Sequence, residues 1–345
     1  MIRSSVQALH AYVPGEQPRA RRLVKLNTNE NPYPPSPRVA RALARFDVEE
    51  LRRYPDPMCN GLRTRIARLH GCTPEQVFVG NGSDEVLALC VRAFVERDEA
   101  VGFFAPSYSL YPVLAAIEDV RTKPVELADD FSWRMPADYQ AALFYLTQPN
   151  APTSRPFPRS RIAAFCRRFT GVVLVDEAYG DFADEHFVDL ALRRPNVVVA
   201  RSFSKSYSLA GLRLGYAVGP APLIAALHKI KDSYNVSRLA QLLGEAALDD
   251  QRWMRRNVAK VVATRTRTAE ALRHRGWTVA DSATNFLWAR PVGRPAAEIF
   301  EALRARGIFV RYFPGPRTGD YLRITIGTDA QMKVLLAELD RLARS

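Results

Sequence analysis

The sequence predicts an α/β fold, in which helices cover both faces of a mainly parallel sheet and a smaller α+β unit follows. Apolar runs typical of buried strands alternate with helical stretches, and no internal repeat interrupts this alternation. The 345 residues suffice for one large and one smaller domain. We therefore expect an N-terminal arm over residues 1–35, a large domain over 36–255 and a small C-terminal domain over 256–345.

The first predicted element is an extended arm, because proline lacks the amide hydrogen that a helix needs. Six prolines mark it, at Pro14, Pro18, Pro32, Pro34, Pro35 and Pro37. Helices are then expected over residues 62–70 and 83–95, after Pro106, and over 159–169. Strands of the large sheet are expected near 100–104 and at 120–126, 143–147, 172–176 and 197–201.

The last third of the chain changes pattern. After residues 213–218 it is predicted to be helical to about residue 273, with a long amphipathic stretch from Gln251 onward. Strand-like segments follow at 285–289, 308–311 and 321–326, around helices at 296–306 and 330–343. This order predicts the smaller α+β domain.

Composition and charge narrow the class of protein. The net charge of +13 comes mostly from arginines spread along predicted exposed helix faces, so we expect no nucleic-acid partner. No apolar run reaches the roughly 18 residues of a membrane span, and we expect no signal peptide and no membrane partner. The four cysteines lack paired spacing, which predicts reduced thiols, a cytoplasmic location and no metal site.

The most informative segment is residues 202–216, where a lysine lies in a frame of hydroxyl, glycine and arginine side chains. Lys205 follows an apolar run typical of a buried strand, and Arg213 lies eight residues beyond it. A lysine that forms a Schiff base needs a partly dehydrated pocket, and nearby hydroxyls and an arginine suit a phosphate group. This block resembles the Ser-x-Ser-Lys and Gly-x-Arg-x-Gly motifs of the fold-type-I pyridoxal-phosphate (PLP) aminotransferases.

The resemblance implies the fold of PLP-dependent transferases of type I and pyridoxal 5'-phosphate as the cofactor. Lys205 would hold the cofactor and then shuttle the proton between the substrate Cα and the cofactor. Asp176 ends an apolar run at the strand edge where α/β proteins bind ligands. With Tyr179 it resembles the family's D-E-A-Y run, in which the aspartate bonds the pyridine nitrogen and the tyrosine hydroxyl reaches the ring oxygen.

A phosphate site is predicted where a glycine turn at residues 80–82 opens a helix, because free backbone N–H groups and the positive helix end bind anions there. In the family the phosphate is held at the positions of Gly82, Ser83, Asp84, Ser202, Ser204 and Arg213. Pro106-Ser107-Tyr108 resembles the family's P-x-Y motif, whose ring stacks on the pyridine. Tyr111 is the rival for that role.

Two further motifs concern the partner subunit and a missing ligand. Arg53-Tyr54-Pro55 resembles the R-Y-P motif, whose tyrosine touches the cofactor phosphate of the neighbouring subunit; this implies a homodimer. Ala151 stands where many relatives carry the asparagine that bonds the ring oxygen. Either Asn150 or a water takes over, or Tyr179 alone holds that oxygen.

The substrate side resembles the histidinol-phosphate branch of the family. Residues 10–18, with Tyr12, resemble its Y-x-P-G arm, and residues 26–33, with Asn29, resemble its L-N-x-N-E-N-P segment. Arg311 and Arg323 lie on two strand-like pieces and are expected to converge on a phosphate or carboxylate. Tyr12 is expected to donate to the same group from across the dimer.

The resemblance implies ping-pong transfer of an amino group from histidinol phosphate to 2-oxoglutarate, through pyridoxamine phosphate. The bulky loop of Tyr312 and Phe313 keeps aromatic amino acids open as alternative donors. A phosphothreonine decarboxylase is disfavoured by the segment 29–31, and a DNA-binding regulator by the lack of a helix-turn-helix before the arm. The sequence does not decide the donor.

Overall fold

The computed structural model describes residues 1–9, 11–18 and 23–344. His10, which belongs to the predicted arm motif, lies outside the described residues, as do residues 19–22 and 345. In the described part no helix is long and apolar enough to cross a membrane.

Within the described residues, the large sheet has seven strands in the order β2-β8-β7-β6-β5-β3-β4. Neighbours are parallel except where β8 pairs with β2 and β7. The strands are β2 (Val77–Gly80), β3 (Ala100–Ala105), β4 (Arg121–Glu126), β5 (Leu143–Thr147), β6 (Val172–Asp176), β7 (Val197–Ser202) and β8 (Gly215–Val218).

Both faces of this sheet are buried, and each of its central strands β5, β6 and β7 begins with an apolar run. Along β6, Val173 and Val175 pack into one core cluster, while Leu174 packs into a second cluster on the opposite face. This alternation follows from the two-residue period of a strand, and β-branched residues suit such a surface.

Helices pack around the large sheet and, in the last part of the chain, around the shorter strands of a smaller core. They are α1 (Ser4–Gln7), α2 (Pro37–Ala44), α3 (Asn60–His70), α4 (Ser83–Phe94), α5 (Leu110–Ile117), α6 (Arg159–Arg168), α7 (Val188–Arg193), α8 (Ala221–Ile230), α9 (Arg238–Leu248), α10 (Gln251–His274), α11 (Ala296–Ala305) and α12 (Asp329–Arg344). The 24-residue α10 leads from the large sheet to the remaining strands.

A smaller core is built around six short strands. These are β1 (Val24–Lys25), β9 (Thr278–Val279), β10 (Phe286–Arg290), β11 (Ile308–Phe309), β12 (Arg311–Tyr312) and β13 (Leu322–Thr325). Four of them form an antiparallel sheet in the order β12-β13-β10-β9, and β1 pairs in parallel with β11. The arm thus reaches the C-terminal part of the chain through β1.

The predicted fold class is confirmed. Several local features differ from the sequence expectation. The strands β1, β2 and β9 and the helix α7 were not predicted, a short helix opens the arm, and α2 begins at Pro37, the position where proline is best tolerated in a helix. The expected boundary between residues 255 and 256 falls inside α10, and the division into domains stays a prediction.

Candidate active site

A cavity of about 600 Å³ opens where the carboxyl ends of the large sheet's strands face the small sheet. Strands β5, β6 and β7 are neighbours in the sheet, so the residues that end them meet at one edge. Most of the sequence-predicted site residues line this cavity, namely Tyr12, Asn29, Ser83, Asp84, Tyr108, Asp176, Tyr179, Ser202, Ser204, Lys205, Arg213, Arg311 and Arg323. Gly82, Asn150 and Tyr54 do not belong to the lining.

Lys205 lies in the turn that follows β7, on the wall of the cavity. Its Nζ donates to the Thr28 carbonyl oxygen at 3.3 Å and lies 5.8 Å from the centre of the Tyr179 ring. Burial, together with the nearby Arg323 charge, lowers the pKa of this amine to about 8. A substantial fraction of neutral, nucleophilic amine is therefore available near neutral pH.

Asp176 ends β6 and is only 3% exposed. Its Oδ2 accepts a hydrogen bond from the Tyr111 hydroxyl at 2.8 Å, and its Oδ1 accepts one from the Ala178 N–H at 3.0 Å. Burial raises the pKa of this carboxyl to about 6. Within the described residues it makes no ion pair, so a cation in the cavity would relieve a buried charge.

Tyr179 closes the cavity beside Lys205, and Asn29 holds it there. The Asn29 Nδ2 donates to the Tyr179 hydroxyl at 2.8 Å, while its Oδ1 accepts from the Thr325 hydroxyl at 2.9 Å. Asn29 has a positive φ of 57°, a conformation that asparagine tolerates better than most residues. Its amide is thus engaged within the protein, and its role in binding substrate stays a prediction.

The start of α4 forms an anion cradle with the segment after β7. A Cβ at Gly215 would lie 2.3 Å from the Ser83 backbone nitrogen, so only glycine permits this close approach. The Arg213 guanidinium pairs with the Asp84 carboxylate at 3.0 Å and reaches the Ser204 hydroxyl at 3.5 Å. Gly82, with a φ of 86°, lies directly beneath that guanidinium.

The two candidate tyrosines of the 106–111 segment have different places. Tyr108 lines the cavity, whereas Tyr111 is fully buried behind it and bonds Asp176 and the Thr147 hydroxyl. Tyr108 meets the Tyr12 ring edge-on at 5.8 Å. Of these two tyrosines, Tyr108 is therefore the one whose ring can contact a molecule in the cavity.

Asn150 and its neighbour Ala151 have different places. Asn150 is fully buried outside the cavity lining, and its Oδ1 accepts a hydrogen bond from the Thr153 hydroxyl at 2.8 Å. Ala151 and Pro152 face the cavity instead. The Nδ2 of Asn150 is buried without a hydrogen-bond partner among the described residues, and a bond from it to the ring oxygen stays a prediction.

Arg311 and Arg323 lie directly opposite each other across β12 and β13. The Arg323 Nη2 donates to the Asn27 carbonyl oxygen at 2.9 Å, but its Nε is buried without a partner among the described residues. The Phe313 ring packs against both guanidinium groups, 5.2 Å from each. Like charges facing each other across a strand pair are unfavourable, so this arrangement favours a bound anion.

Tyr12 requires a correction. It lines the cavity of its own chain, although the sequence suggested that it reaches across a dimer. The arm that carries it is held by Arg311, which donates to the carbonyl oxygens of Val13 at 2.9 Å and Pro14 at 3.3 Å. These bonds fix the arm over the site from within the same chain.

Tyr54 lies away from this cavity. Its side chain is 76% exposed, and its ring stacks on Tyr234 with centroids 4.3 Å apart. The side chain of Tyr54 therefore does not contact the cavity of its own chain.

Several residues of the site were not predicted from the sequence. Thr28, Glu30 and Thr318 line the cavity. The Tyr111 hydroxyl bonds both the Asp176 carboxylate and the Thr147 hydroxyl, two contacts that the sequence did not predict. Thr147 is the last residue of β5, so its place at the end of a buried parallel strand was the signal that could have found it. The partnership of Tyr111 with Asp176 has no such signal in the sequence.

Comparison with known proteins agrees with this geometry. Residues 21–339 match the model of the family described as aminotransferase class I and II. The chain is 46% identical to histidinol-phosphate aminotransferase 1 of Burkholderia pseudomallei, over 98% of this chain and 97% of that one. It is also 46% identical to the histidinol-phosphate aminotransferase of Chromohalobacter salexigens, over 99% of this chain and 98% of that one.

A solved structure extends the comparison to three dimensions. The histidinol-phosphate aminotransferase of Sinorhizobium meliloti, solved in complex with pyridoxal-5'-phosphate, superimposes with a TM-score of 0.89. That match has 28% sequence identity and covers 99% of this chain and 97% of the other.

Proposed function

The chain belongs to the class I and II aminotransferases, and from this premise we propose that it transfers the amino group of histidinol phosphate to 2-oxoglutarate with pyridoxal phosphate as cofactor. The facing guanidinium groups of Arg311 and Arg323, one with an unpartnered Nε, carry the proposal for a phosphorylated substrate. The full-length similarity to enzymes named for this donor supports it.

The residues around the cavity fit the proposed cofactor. Asp176 is a buried carboxylate without a cationic partner in the described chain, which suits a protonated ring nitrogen. The α4 N-terminus, Ser204 and Arg213 suit a phosphate group. Lys205, which lines the same cavity, supplies an amine with a lowered pKa. When bound, pyridoxal phosphate supplies a conjugated cationic ring that accepts an electron pair from the substrate Cα.

Each residue then has a defined task. Lys205 would hold the cofactor through its amine and would move the proton at the substrate Cα. Asp176 would place a negative charge opposite the ring nitrogen, and Tyr179, held by Asn29, would donate a hydrogen bond to the ring oxygen. Tyr108 provides the aromatic face, while Arg311 and Arg323 bind the anionic group of the donor and of the keto acid.

Aromatic amino acids remain the second candidate donors, because one observation favours them. Phe313 lines the cavity beside Tyr12 and Tyr108, so three aromatic rings surround the substrate end. Tyr312 does not contribute, since its ring packs on Phe300 instead. An imidazole ring and a phenyl ring both fit such surroundings. The donor is then selected by its phosphate group, which Arg311 and Arg323 would bind.

Replacing Arg311 or Arg323 by alanine is expected to lower kcat/KM for histidinol phosphate about ten- to hundredfold, because a charge-assisted hydrogen bond contributes roughly 1.5–3 kcal/mol. The advantage of histidinol phosphate over histidinol should shrink by a similar factor. Steady-state kinetics with both donors measures this. Arg290→Ala removes an exposed arginine from the same small sheet and should leave both donors unaffected. Faster turnover of phenylalanine or tyrosine by the wild type would instead establish the aromatic alternative.

We also propose a homodimer in which Tyr54 of each chain completes the other chain's phosphate site. Its exposed ring, stacked on Tyr234 outside its own cavity, supports this arrangement. Leu43, Val48 and Leu51 are exposed apolar side chains in the preceding segment, which suits a subunit contact.

Mixing inactive Lys205→Ala with Tyr54→Ala subunits should raise activity above that of either parent. Random exchange leaves about a quarter of all sites with both residues intact. The same mixing with Tyr12→Ala should give no recovery, because Tyr12 acts within its own chain. Activity assays after proven subunit exchange measure both; recovery with Tyr12→Ala but not with Tyr54→Ala would reverse the two assignments.

A cytoplasmic location remains part of the proposal. All four cysteines are free thiols, as expected in a reducing compartment, and burial raises the pKa of each.

A further inference from the structure

A buried ion network lies behind the cavity, centred on Arg201. This arginine is only 7% exposed, yet none of its polar atoms faces the cavity. Its Nη2 pairs with the Glu177 carboxylate at 2.7 Å and its Nη1 with the Asp181 Oδ1 at 3.0 Å. Its Nη2 also lies 3.0 Å from the His186 Nδ1. A buried guanidinium with this many partners holds them in fixed relative positions.

The network is tied to the turn that carries Lys205. The hydroxyl of Ser206, which is 2% exposed, donates to the Asp181 Oδ2. Asp181 therefore accepts from Arg201 through one oxygen and from Ser206 through the other. On the opposite side of the same turn, the Asn31 Nδ2 donates to the Lys205 carbonyl oxygen at 3.1 Å.

Three members of the network are chain neighbours of residues that line the cavity. Glu177 follows Asp176, Arg201 precedes Ser202, and Ser206 follows Lys205. We infer that Arg201, Asp181 and Ser206 are positioning residues that fix the Lys205 turn relative to the ends of β6 and β7, and so set the place of the Lys205 amine relative to the Asp176 carboxylate. This inference rests on the proposed function, because it assigns both groups to one cofactor.

Stability alone does not account for such a network. Taking several charges out of water is costly, and a well-packed apolar cluster of similar volume is often equally stable. What the ionic arrangement adds is directional contact between three separate segments. A displacement of about 1 Å in the reacting groups is enough to cost roughly a hundredfold in rate, so this positioning has a direct kinetic consequence.

Ser206→Ala is the mildest cut, because it leaves both ion pairs of Arg201 in place. Ser208→Ala is the matched control: it removes a buried hydroxyl from the same turn that makes no hydrogen bond within the described residues. Relative to wild type, Ser206→Ala should slow the first half-reaction with excess histidinol phosphate about ten- to hundredfold. Its Kd for PLP and KM for the donor should change less than about threefold. Ser208→Ala should match the wild type.

A second readout follows the lysine without turnover. Apoprotein is mixed with PLP at a series of pH values, and the rate of covalent capture is read from absorbance and from borohydride trapping. The wild-type rate should rise with pH through about 8, the pKa that burial gives Lys205. In Ser206→Ala the midpoint should move upward, because a loosened turn admits water to the amine.

A double-mutant cycle tests the route through Asp181. Asp181→Ala alone should slow the half-reaction, and adding Ser206→Ala should slow it no further, because the hydroxyl has lost its acceptor. Additive effects, or identical behaviour of Ser206→Ala and Ser208→Ala, would overturn the inference while leaving the proposed function intact. A wild type that captures no PLP at Lys205 would overturn the proposed function first.

Discussion

Replacing Lys205 by alanine is expected to reduce turnover by about 10⁴-fold or more, because one amine serves both as the attachment point and as the proton carrier. The variant should still hold PLP without a covalent bond, through Asp176 and the α4 cradle. Steady-state kinetics and absorbance of the PLP-loaded variant measure both effects.

Lys25 provides the control for this prediction. It pairs with Glu30 near the cavity without lining it, so Lys25→Ala should keep covalent capture and most of the turnover. Borohydride reduction followed by peptide mapping should label Lys205 alone among the seven lysines. A label on another lysine would show that the assignment is wrong.

Asp176→Asn should slow removal of the Cα proton by about 10²–10³-fold, while covalent capture of PLP by Lys205 persists. The neutral amide has no charge to keep the ring nitrogen protonated, so the ring accepts electrons less readily. The half-reaction rate on rapid mixing measures this. Asp129→Asn, a change at an exposed acid outside the cavity, is the matched control. Near-wild-type rates for Asp176→Asn would mean that another group bonds the ring nitrogen.

The central strands were predictable because the apolar runs that form them are recognisable from short stretches of sequence. The apolar run before Lys205 is buried along its whole length and the run before Asp176 is buried from Val173 onward, and such runs have few other uses in a globular chain. The strand β2 is only four residues long and follows a short 3-10 turn at Pro74–Gln76, so its pattern was too short to recognise. The reversed direction of β8 depends on the sheet as a whole and leaves no local mark.

The site shows the same division. Lys205, Asp176 and Arg213 follow strand ends or sit in motif frames, and the sequence alone brought them together. Contacts between distant segments were not predictable, because they depend on register and on how helices pack. The bond from Tyr111 to Asp176 and the network of Arg201 are of this kind.

The arm and the 150s loop show how far motif reasoning extends. Tyr12 and Asn150 were identified from local sequence, but the motifs alone do not show what their side chains contact. Arg311 holds the arm within its own chain, and Thr153 bonds Asn150 away from the cavity lining. A motif thus indicates which residue is special more reliably than it indicates what that residue contacts.

The most direct test of the account is a single half-reaction. PLP-loaded protein is mixed with histidinol phosphate in the absence of 2-oxoglutarate, and the absorbance of the bound cofactor is followed. We predict that all of the bound cofactor is converted, with one donor amine consumed per site. The second-order rate constant for histidinol phosphate should exceed those for histidinol, phenylalanine and tyrosine. Adding 2-oxoglutarate should then restore the original spectrum. No conversion with histidinol phosphate, or faster conversion with an aromatic amino acid, would contradict the account.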